Sequence, residues 1–175
     1  MKKRQLNDLA AFGGRPAFDP PLFVGRPNVG DVEEVLARIR GVLEDGRLTN
    51  RGPLVQELER RVAALADVKH CIAMCNATVA LEIVIRALGM AGEVIVPSMT
   101  FVATAHALQW QQVTPVFCDV DPATHQIDPA AVEALITPRT TGIVGVHLWG
   151  RTCDTEALAA IARRRGLKLI FDAAH

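Results

Sequence analysis

The sequence predicts an α/β domain with a mostly parallel sheet and helices that flank it. Beyond Asp67, short apolar runs rich in β-branched residues alternate with stretches of helical periodicity. The runs are almost continuously apolar, as expected for strands that are buried on both faces. Half of the 175 residues are hydrophobic, which is enough for the core of one domain.

The first third of the chain is predicted to contain an arm and two helices. Residues 1–30 are rich in proline and glycine, so we expect an extended arm with turns. Asp31 is a suitable N-cap for a helix with apolar residues at helical spacing, which Gly46 would end. After a short loop, Pro53 stands in the first turn of a second amphipathic helix. We therefore expect an arm at 1–30 and one domain at 31–175.

Five strands and four helices are predicted in the rest of the chain. The strand segments are HCIAMC, EVIVPS, TPVFCDV, TGIVGVHLW and LKLIFDAAH. The helical segments between them are ATVALEIVIRALGM, TFVATAHALQWQ, PAAVEALI and TEALAAIARRRG. This alternation favours parallel pairing through right-handed crossovers. Because ligands of open parallel sheets bind beyond the carboxyl ends of the strands, we look for site residues there.

Composition and charge argue against several classes of partner. The formal net charge is zero and the pI is near 7.0, so we expect no nucleic-acid partner. No apolar run approaches the roughly 20 residues that cross a bilayer, and the basic start lacks a signal-peptide core. We therefore expect a cytoplasmic protein with no membrane partner. The cluster Arg163, Arg164 and Arg165 ends a predicted helix, and we interpret it as cations that complement the helix dipole rather than as a phosphate patch.

Neither the cysteines nor a pair of aspartates favours a metal site. Zinc sites use closely spaced CxxC pairs, whereas Cys71 and Cys75 are four residues apart. We therefore predict that these two cysteines, Cys118 and Cys153 are buried free thiols. The aspartates of the segment CDVDP, residues 118–122, are interpreted as turn and cap residues rather than as a glycosidase or metal pair.

Residues suited to anion binding follow the first strand segment. Asn76, Ala77 and Thr78 lie between HCIAMC and a helix, where free backbone N–H groups and the helix dipole favour an anion. A phosphate fits such a turn, with the Thr78 hydroxyl as an additional donor. The alternative is that Asn76 serves only as an N-cap. The sequence contains neither a Walker motif nor GxGxxG.

Two further strand ends carry candidate site residues. Phe101 opens a helix near the end of EVIVPS, where its ring could join the core or stack on a flat heterocycle in the crevice. Asp172 ends the apolar run LKLIF, where an ionised carboxylate is costly unless a cation pairs with it. A protonated pyridine nitrogen is such a cation, and His175 could then bind the edge of the ring. The alternative is that Asp172 only caps the next helix.

Taken together, these motifs resemble a known family. The segments 48–82, 93–108, 114–150 and 169–175 include NATVALE, VPSMTF, CDVDP, VHLWG and LIFDAAH. In this order they are similar to the N-terminal half of the DegT/DnrJ/StrS pyridoxal-phosphate-dependent sugar aminotransferases. The resemblance runs from about Phe12 to His175. It implies a truncated large domain of the fold type I aminotransferases, a homodimer with the active site at the subunit interface, and pyridoxal 5′-phosphate as cofactor. It also implies transfer of an amino group from glutamate to a nucleotide-linked keto-sugar.

The resemblance implies cofactor-binding roles for five residues. Ala77 and Thr78 match the phosphate-binding turn, although the usual Ser-Gly-Thr is Asn-Ala-Thr here. Phe101 matches the aromatic residue that stacks on the pyridine ring, and Asp172 matches the acid that pairs with the ring nitrogen. His175 matches a Gln or His that contacts the ring hydroxyl.

Further positions match the family less directly. Thr49, Asn50 and Gly52 match a loop near the substrate. The histidine of VHLWG, His147, is interpreted as a structural residue that lines the crevice rather than as a catalytic base.

No catalytic residue is predicted in this chain. The Schiff-base lysine of the family lies beyond the position that His175 matches, and the lysines present are Lys2, Lys3, Lys69 and Lys168. Lys168 begins the strand that Asp172 ends, and a strand of five residues spans roughly 15 Å. The chain is therefore expected to lack a C-terminal part and to be inactive alone. Three hypotheses stay open: a fragment of a working transaminase, a truncated non-catalytic domain that binds a ligand or a partner, and a nucleotide-binding α/β domain.

Overall fold

The structure, a computed structural model, describes residues 5–20, 22–23, 25 and 27–175 of the chain. The chain divides into two units, 1–57 and 58–175. The helices and strands of the described residues are α1 (Val32–Asp45), α2 (Pro53–Leu65), α3 (Ala77–Ala87), β1 (Glu93–Pro97), α4 (Val102–Trp110), β2 (Thr114–Cys118), α5 (Pro129–Leu135), β3 (Thr140–Val146), α6 (Thr155–Arg165) and β4 (Lys168–Asp172). Within this part of the chain, no helix is long and apolar enough to cross a bilayer.

The first unit contains short turns and α1. Two 3₁₀ turns, Leu6–Asp8 and Ala10–Phe12, lie in the predicted arm, of which residues 1–4, 21, 24 and 26 lie outside the described residues. The Asp31 carboxylate accepts a hydrogen bond from the Glu34 backbone N–H at 3.1 Å, so Asp31 caps α1 as predicted. Gly46 ends the helix with a φ of +69°, a conformation that glycine adopts without strain. The division into an arm at 1–30 and a domain at 31–175 stays a prediction.

The sheet of the second unit is entirely parallel. Its strand order is β2-β1-β3-β4, and every pair of neighbours runs in the same direction. The chain moves from β1 to one side for β2 and then to the other side of β1 for β3, so the strand order reverses between β1 and β3. Such a reversal opens a crevice beyond the carboxyl ends of the two strands.

Helices cover both faces of this sheet, as predicted. Alternate side chains of β1 point to opposite faces, with Val94 and Val96 in one apolar cluster and Ile95 in the other. The first cluster contains Leu81 and Ile85 of α3 and side chains of α4. The second contains side chains of α5 and α6. The predicted α/β class is therefore confirmed as a three-layer arrangement.

Two predictions about strands are wrong. The segment HCIAMC, residues 70–75, forms no strand, because no strand of the described sheet lies beside it. Its Ala73 N–H instead donates to the Glu59 carboxylate at 2.9 Å, and Ile72 is exposed. Burial on both faces holds for β1 and nearly all of β3, but Thr114 and Phe117 of β2 are exposed because β2 is an edge strand.

The prediction of four buried thiols is only half correct. Cys118 and Cys153 are buried, and burial raises the pKa of the Cys118 thiol to about 11. Cys71 is partly exposed and Cys75 is exposed, because both belong to the segment that forms no strand.

The arginines at the end of α6 bind a neighbouring helix. Arg164 donates to one Glu133 carboxylate oxygen at 2.5 Å, and the Arg165 Nε donates to the other at 2.8 Å. These bonds lower the pKa of Glu133, with the Arg165 bond as the largest cause. Two of the three arginines are therefore engaged in an ion-pair network between α5 and α6, in addition to their favourable place at a helix C-terminus.

A carboxylate at the amino end of β1 is satisfied by a cation and a hydroxyl. Glu93 is only 7% exposed, and its carboxylate accepts hydrogen bonds from the Thr137 hydroxyl at 2.5 Å and from Arg139. The Thr137 bond, assisted by Arg139, holds the pKa of Glu93 below its ordinary value.

This lowered pKa predicts a pH-dependent stability. The charged form of Glu93 stabilises the fold above pH 4.5, its ordinary pKa, and the contribution is lost as the pH falls through the lower pKa of the folded state. Glu93→Gln should therefore lower the thermal midpoint of the protein at pH 7, and the difference from wild type should shrink below about pH 4.5. The exposed Glu156→Gln variant removes the same charge as a control and should follow the wild-type pH profile. A constant difference for Glu93→Gln between pH 3 and pH 7 would contradict the assignment.

The free edges of the sheet predict association of this 175-residue chain when it is produced alone. β2 and β4 each pair on one side only within the described sheet, and the Phe117 ring on β2 is 56% exposed. Phe117→Lys should reduce concentration-dependent association, measured by light scattering after gel filtration. Thr114→Lys on the same strand adds the same charge without removing apolar surface, so it should reduce association less. A monodisperse wild-type monomer with a cooperative thermal transition would show that the prediction is wrong.

Candidate functional site

The three predicted strand ends meet at one cavity. The cavity has a volume of about 140 Å³ and lies where the strand order reverses, beyond the carboxyl ends of the strands. Its lining residues are Ala77, Thr78, Leu81, Thr100, Phe101, Ala103, Val146, Asp172, Ala174 and His175. A second, more apolar cavity of about 280 Å³ between α3 and β4 shares Ala77, Leu81, Asp172 and Ala174. The three segments therefore converge in the structure, and their roles in cofactor binding stay predictions.

The first turn of α3 presents backbone donors to the cavity. Asn76 is the N-cap, and its side-chain oxygen accepts a hydrogen bond from the Val79 N–H at 2.9 Å. The N–H groups of Ala77 and Thr78 make no hydrogen bond to other described residues, as is usual for the first turn of a helix. Capping by Asn76 and anion binding by the next two residues are therefore compatible.

Asp172 holds its carboxylate at the cavity through two neutral donors. Oδ2 accepts from the Thr104 hydroxyl at 2.8 Å, and Oδ1 accepts from the Ala174 N–H at 3.1 Å. The side chain is partly buried, and no cationic side chain among the described residues forms an ion pair with it. A partly buried carboxylate with neutral partners alone attracts a cationic ligand group.

Two threonines that sequence reasoning missed complete this arrangement. The hydroxyl oxygens of Thr100 and Thr104 are 2.9 Å apart, and Thr104 is 1% exposed. Because a hydroxyl carries one proton and Thr104 donates it to Asp172, Thr100 must donate to Thr104. Their spacing of four residues, at the two ends of the segment TFVAT, would place both on one face of a helical turn and was the available signal.

An aromatic ring and an imidazole flank the cavity. Phe101 precedes α4 with extended backbone, and its side chain is 65% exposed, so the ring faces the crevice rather than the core. The His175 Nδ1 accepts a hydrogen bond from the Trp149 N–H at 3.1 Å. In the neutral histidine the proton therefore lies on Nε2, which can donate to a ligand.

His147 does not line this cavity, although the sequence suggested that it would. Its ring stacks on Phe171 at a centroid distance of 5.3 Å, and its Nδ1 accepts from the Cys153 N–H at 3.3 Å. The side chain lies between the end of β3 and the loop before α6, which fits the structural role that we favoured.

The aspartates of CDVDP lie away from the cavity. Asp121 accepts from the backbone N–H groups of Ala123 and Thr124 at 2.9 and 2.7 Å and so closes a turn, as predicted. The Thr124 bond is the main cause of a lowered Asp121 pKa. Asp119 is exposed. Among the described residues, no three His, Cys, Asp or Glu side chains form a group that could hold a metal ion.

The predicted substrate loop lies in the first unit. Thr49, Asn50 and Gly52 belong to the connection between α1 and α2, where Arg51 has a positive φ of 57° and its carbonyl accepts from the Gln56 side chain at 2.8 Å. A substrate-binding role for the loop stays a prediction.

No lysine lines the cavity among the described residues. Lys168 stands at the opposite end of β4 from Asp172, and Lys69 lies between α2 and α3. Lys2 and Lys3 lie outside the described residues.

The cavity combines three functions that a phosphorylated heterocycle needs. The start of α3 offers donors to an anion, Asp172 offers a negative charge to a protonated ring nitrogen, and Phe101 offers a flat apolar face. The alanines at 77, 103 and 174 leave space between these groups.

Comparison with known proteins agrees with this chemistry. A sequence profile of the DegT/DnrJ/EryC1/StrS aminotransferase family matches residues 30–175. The chain is 42% identical over 158 residues to dTDP-4-amino-4,6-dideoxy-D-glucose transaminase of Shigella dysenteriae. The matched region covers 90% of this chain and 43% of that protein.

Solved structures show the same relationship. The crystal structure of DesI in the presence of its TDP-sugar product matches with a TM-score of 0.90 and 54% identity over 98% of this chain and 44% of DesI. NtdA of Bacillus subtilis, with bound cofactor PMP, matches with a TM-score of 0.78 and 36% identity over 81% of this chain and 33% of NtdA. The chain thus spans less than half the length of these relatives and has the fold of their fold type I large domain. It belongs to the DegT/DnrJ/EryC1/StrS aminotransferase family.

Proposed function

We propose that the complete protein that carries this chain is a pyridoxal-phosphate-dependent aminotransferase. Its reaction transfers an amino group from glutamate to the keto group of a nucleotide-linked sugar. The observation that carries the proposal is the Asp172 carboxylate, which faces the cavity with neutral protein donors and, among the described residues, without a cationic side-chain partner. The names of the relatives support the nucleotide-linked sugar, since they include a dTDP-sugar transaminase and DesI with its TDP-sugar product.

The residues present fit the cofactor. Ala77 and Thr78 would hold the phosphate through their backbone N–H groups and the Thr78 hydroxyl. Phe101 would stack on one face of the ring, Asp172 would pair with the ring nitrogen, and His175 would donate from Nε2 to an oxygen at the ring edge. The loss of the usual Ser-Gly of the phosphate turn matters little, because backbone groups supply most of this site.

The chain's own residues bind and orient, and they hold one proton in place. When bound, pyridoxal phosphate supplies an electron sink, which requires a protonated ring nitrogen. The Asp172 carboxylate keeps a proton on that nitrogen by electrostatic attraction. Phe101 excludes water from one face of the ring, and the start of α3 anchors the opposite end of the ligand. Together these contacts fix the orientation of the reacting group relative to the crevice.

Among the described residues, none that lines the cavity carries the amine that such a reaction needs. Lys168 begins β4, and four residue steps along a strand put its Cα roughly 13 Å from that of Asp172. This observation favours a second candidate for the 175 residues by themselves, namely a domain that binds the cofactor but does not catalyse. Both candidates predict cofactor binding, and only the first predicts turnover by the complete protein.

We also propose that the complete protein is a homodimer. The apolar residues of α1 lie on one helical face, and Val32, Leu36, Ile39 and Leu43 are 49–61% exposed. An exposed apolar face of this extent is typical of a surface that another subunit covers. The predicted cytoplasmic location stays a prediction.

Removal of the Asp172 charge should abolish the proposed reaction. Asp172→Asn keeps the shape of the side chain but no longer stabilises a protonated ring nitrogen, so turnover of the complete protein should fall by at least about 10²-fold. Asp119→Asn removes an exposed carboxylate as a control and should retain wild-type turnover. The assay is transfer of the amino group from glutamate to a nucleotide-linked keto-sugar. Turnover of Asp172→Asn within a few-fold of wild type would overturn the assignment.

The phosphate turn predicts a difference between phosphorylated and unphosphorylated ligands. Thr78→Val removes one hydrogen bond to a charged group, so the affinity for pyridoxamine 5′-phosphate should fall roughly tenfold or more. The affinity for pyridoxamine, which lacks the phosphate, should change little. Isothermal titration with both ligands measures the contrast, and an equal loss for the two would place the phosphate elsewhere.

A further inference from the structure

We propose that Thr100 and Thr104 form a hydroxyl relay that positions Asp172, with Thr104 as the positioning residue for the pyridine nitrogen of the cofactor. The inference rests on the proposed function, because the relay acts on the carboxylate that pairs with that nitrogen. Thr100 precedes α4 and Thr104 lies in the first turn of that helix, whereas Asp172 ends β4.

The geometry of the relay fixes the direction of every hydrogen bond. Thr104 Oγ1 is 2.8 Å from Asp172 Oδ2, and a carboxylate can only accept. The single proton of Thr104 is therefore used, and the hydroxyl of Thr100, 2.9 Å away, donates to Thr104 Oγ1. Hydrogen bonds that follow one another in the same direction polarise each other, so the Thr100 bond strengthens the bond to the carboxylate.

Burial makes the relay rigid. Thr104 is 1% exposed and belongs to α4, which packs under the sheet crevice, while Thr100 lines the cavity. A β-branched side chain in a helix has few accessible rotamers, so the Thr104 hydroxyl has little freedom to leave Asp172. The Ala174 N–H holds Oδ1 at 3.1 Å, and the two donors together fix the plane of the carboxylate.

The relay also determines where a shared proton lies. The Thr104 and Ala174 donors orient the Asp172 carboxylate, and a carboxylate that faces the ring nitrogen stabilises a proton there. Loss of the Thr104 hydroxyl removes one of the two donors and allows the carboxylate to rotate. Both effects reduce the fraction of protonated ring nitrogen.

A positioning role for Thr104 can be distinguished from a role in which its buried hydroxyl only needs a hydrogen-bond partner. A threonine that only needs a partner could be replaced by valine, which has the same shape, without any effect on the ligand. A positioning residue replaced by valine should instead change the protonation state of a ligand that it does not touch.

The test uses the complete protein that carries this chain, loaded with pyridoxamine 5′-phosphate labelled with ¹⁵N in the ring. The ¹⁵N chemical shift reports protonation of the ring nitrogen, and titration calorimetry reports affinity. In Thr104→Val the resonance at neutral pH should move from the protonated towards the unprotonated position, and the dissociation constant should rise about five- to tenfold. Thr104→Ser keeps the hydroxyl and should restore both values to nearly those of wild type.

Two further variants separate failure of the relay from failure of the proposed function. Asp172→Asn should move the resonance fully to the unprotonated position. If it does so while Thr104→Val matches wild type, the relay is wrong and the proposed role of Asp172 stands. If wild type and Asp172→Asn give the same resonance, the proposed function and the relay are both overturned.

Thr100→Val decides the question if Thr104→Val does not fold. It leaves the Thr104–Asp172 bond in place and removes only the polarising donor. A smaller shift of the resonance in the same direction supports the relay, and an unchanged resonance overturns it.

Discussion

Parallel pairing of the four strands is the constraint on which the site depends. Because every strand runs in the same direction, the carboxyl ends of all four strands lie on the same side of the domain. The order β2-β1-β3-β4 then separates the connections that leave β1 and β3, and this separation makes room for a ligand. The residues at the carboxyl ends of β1, β3 and β4 and at the start of α3 line the cavity, while the apolar faces of β1 and β3 pack in the core. The parallel strand pairing that defines the fold thus also defines where the cavity lies.

Carboxylates at the two ends of the parallel strands have different hydrogen-bond partners. Glu93, at the amino end of β1, has an arginine and a hydroxyl as partners, so its charge is compensated within the chain. Asp172, at the carboxyl end of β4, has a hydroxyl and a backbone N–H instead. A carboxylate that serves only the fold is stabilised most simply by a neighbouring cation. Neutral donors orient the Asp172 carboxylate and leave its charge available to a cationic group in the cavity.

Patterns that depend on neighbours in the chain predicted the structure well, and patterns that depend on distant partners did not. Helix caps such as Asp31 and Gly46 are local, and so is the alternation of apolar runs and helices that gave the α/β class. Residues 70–75 have the composition of a strand, but a strand exists only where another strand pairs with it, and no sequence pattern shows which partner is at hand.

The site shows the same division. The turn at Ala77 and Thr78 begins α3 and the acid at Asp172 ends β4, and local reasoning finds both positions. The hydrogen bond between Thr104 and Asp172 joins residues 68 positions apart, and only the folded sheet brings them together. Threonine in a helix is also an unremarkable residue, so composition gave no reason to select it. Buried polar contacts between distant elements are therefore the part of a site that sequence reasoning reaches last.

Binding and catalysis are separable in this architecture. The residues proposed to bind a phosphate, a ring face and a ring nitrogen all lie within one unit, on α3, at the start of α4 and at the end of β4. Among the described residues, no lysine lines this cavity. The lysine nearest in sequence to Asp172 is at the far end of the same strand, where the strand's own length keeps it away. The residues of this chain that line the cavity are thus suited to hold and orient a ligand, and the proposed amino-group transfer needs a reactive amine from outside the described cavity lining.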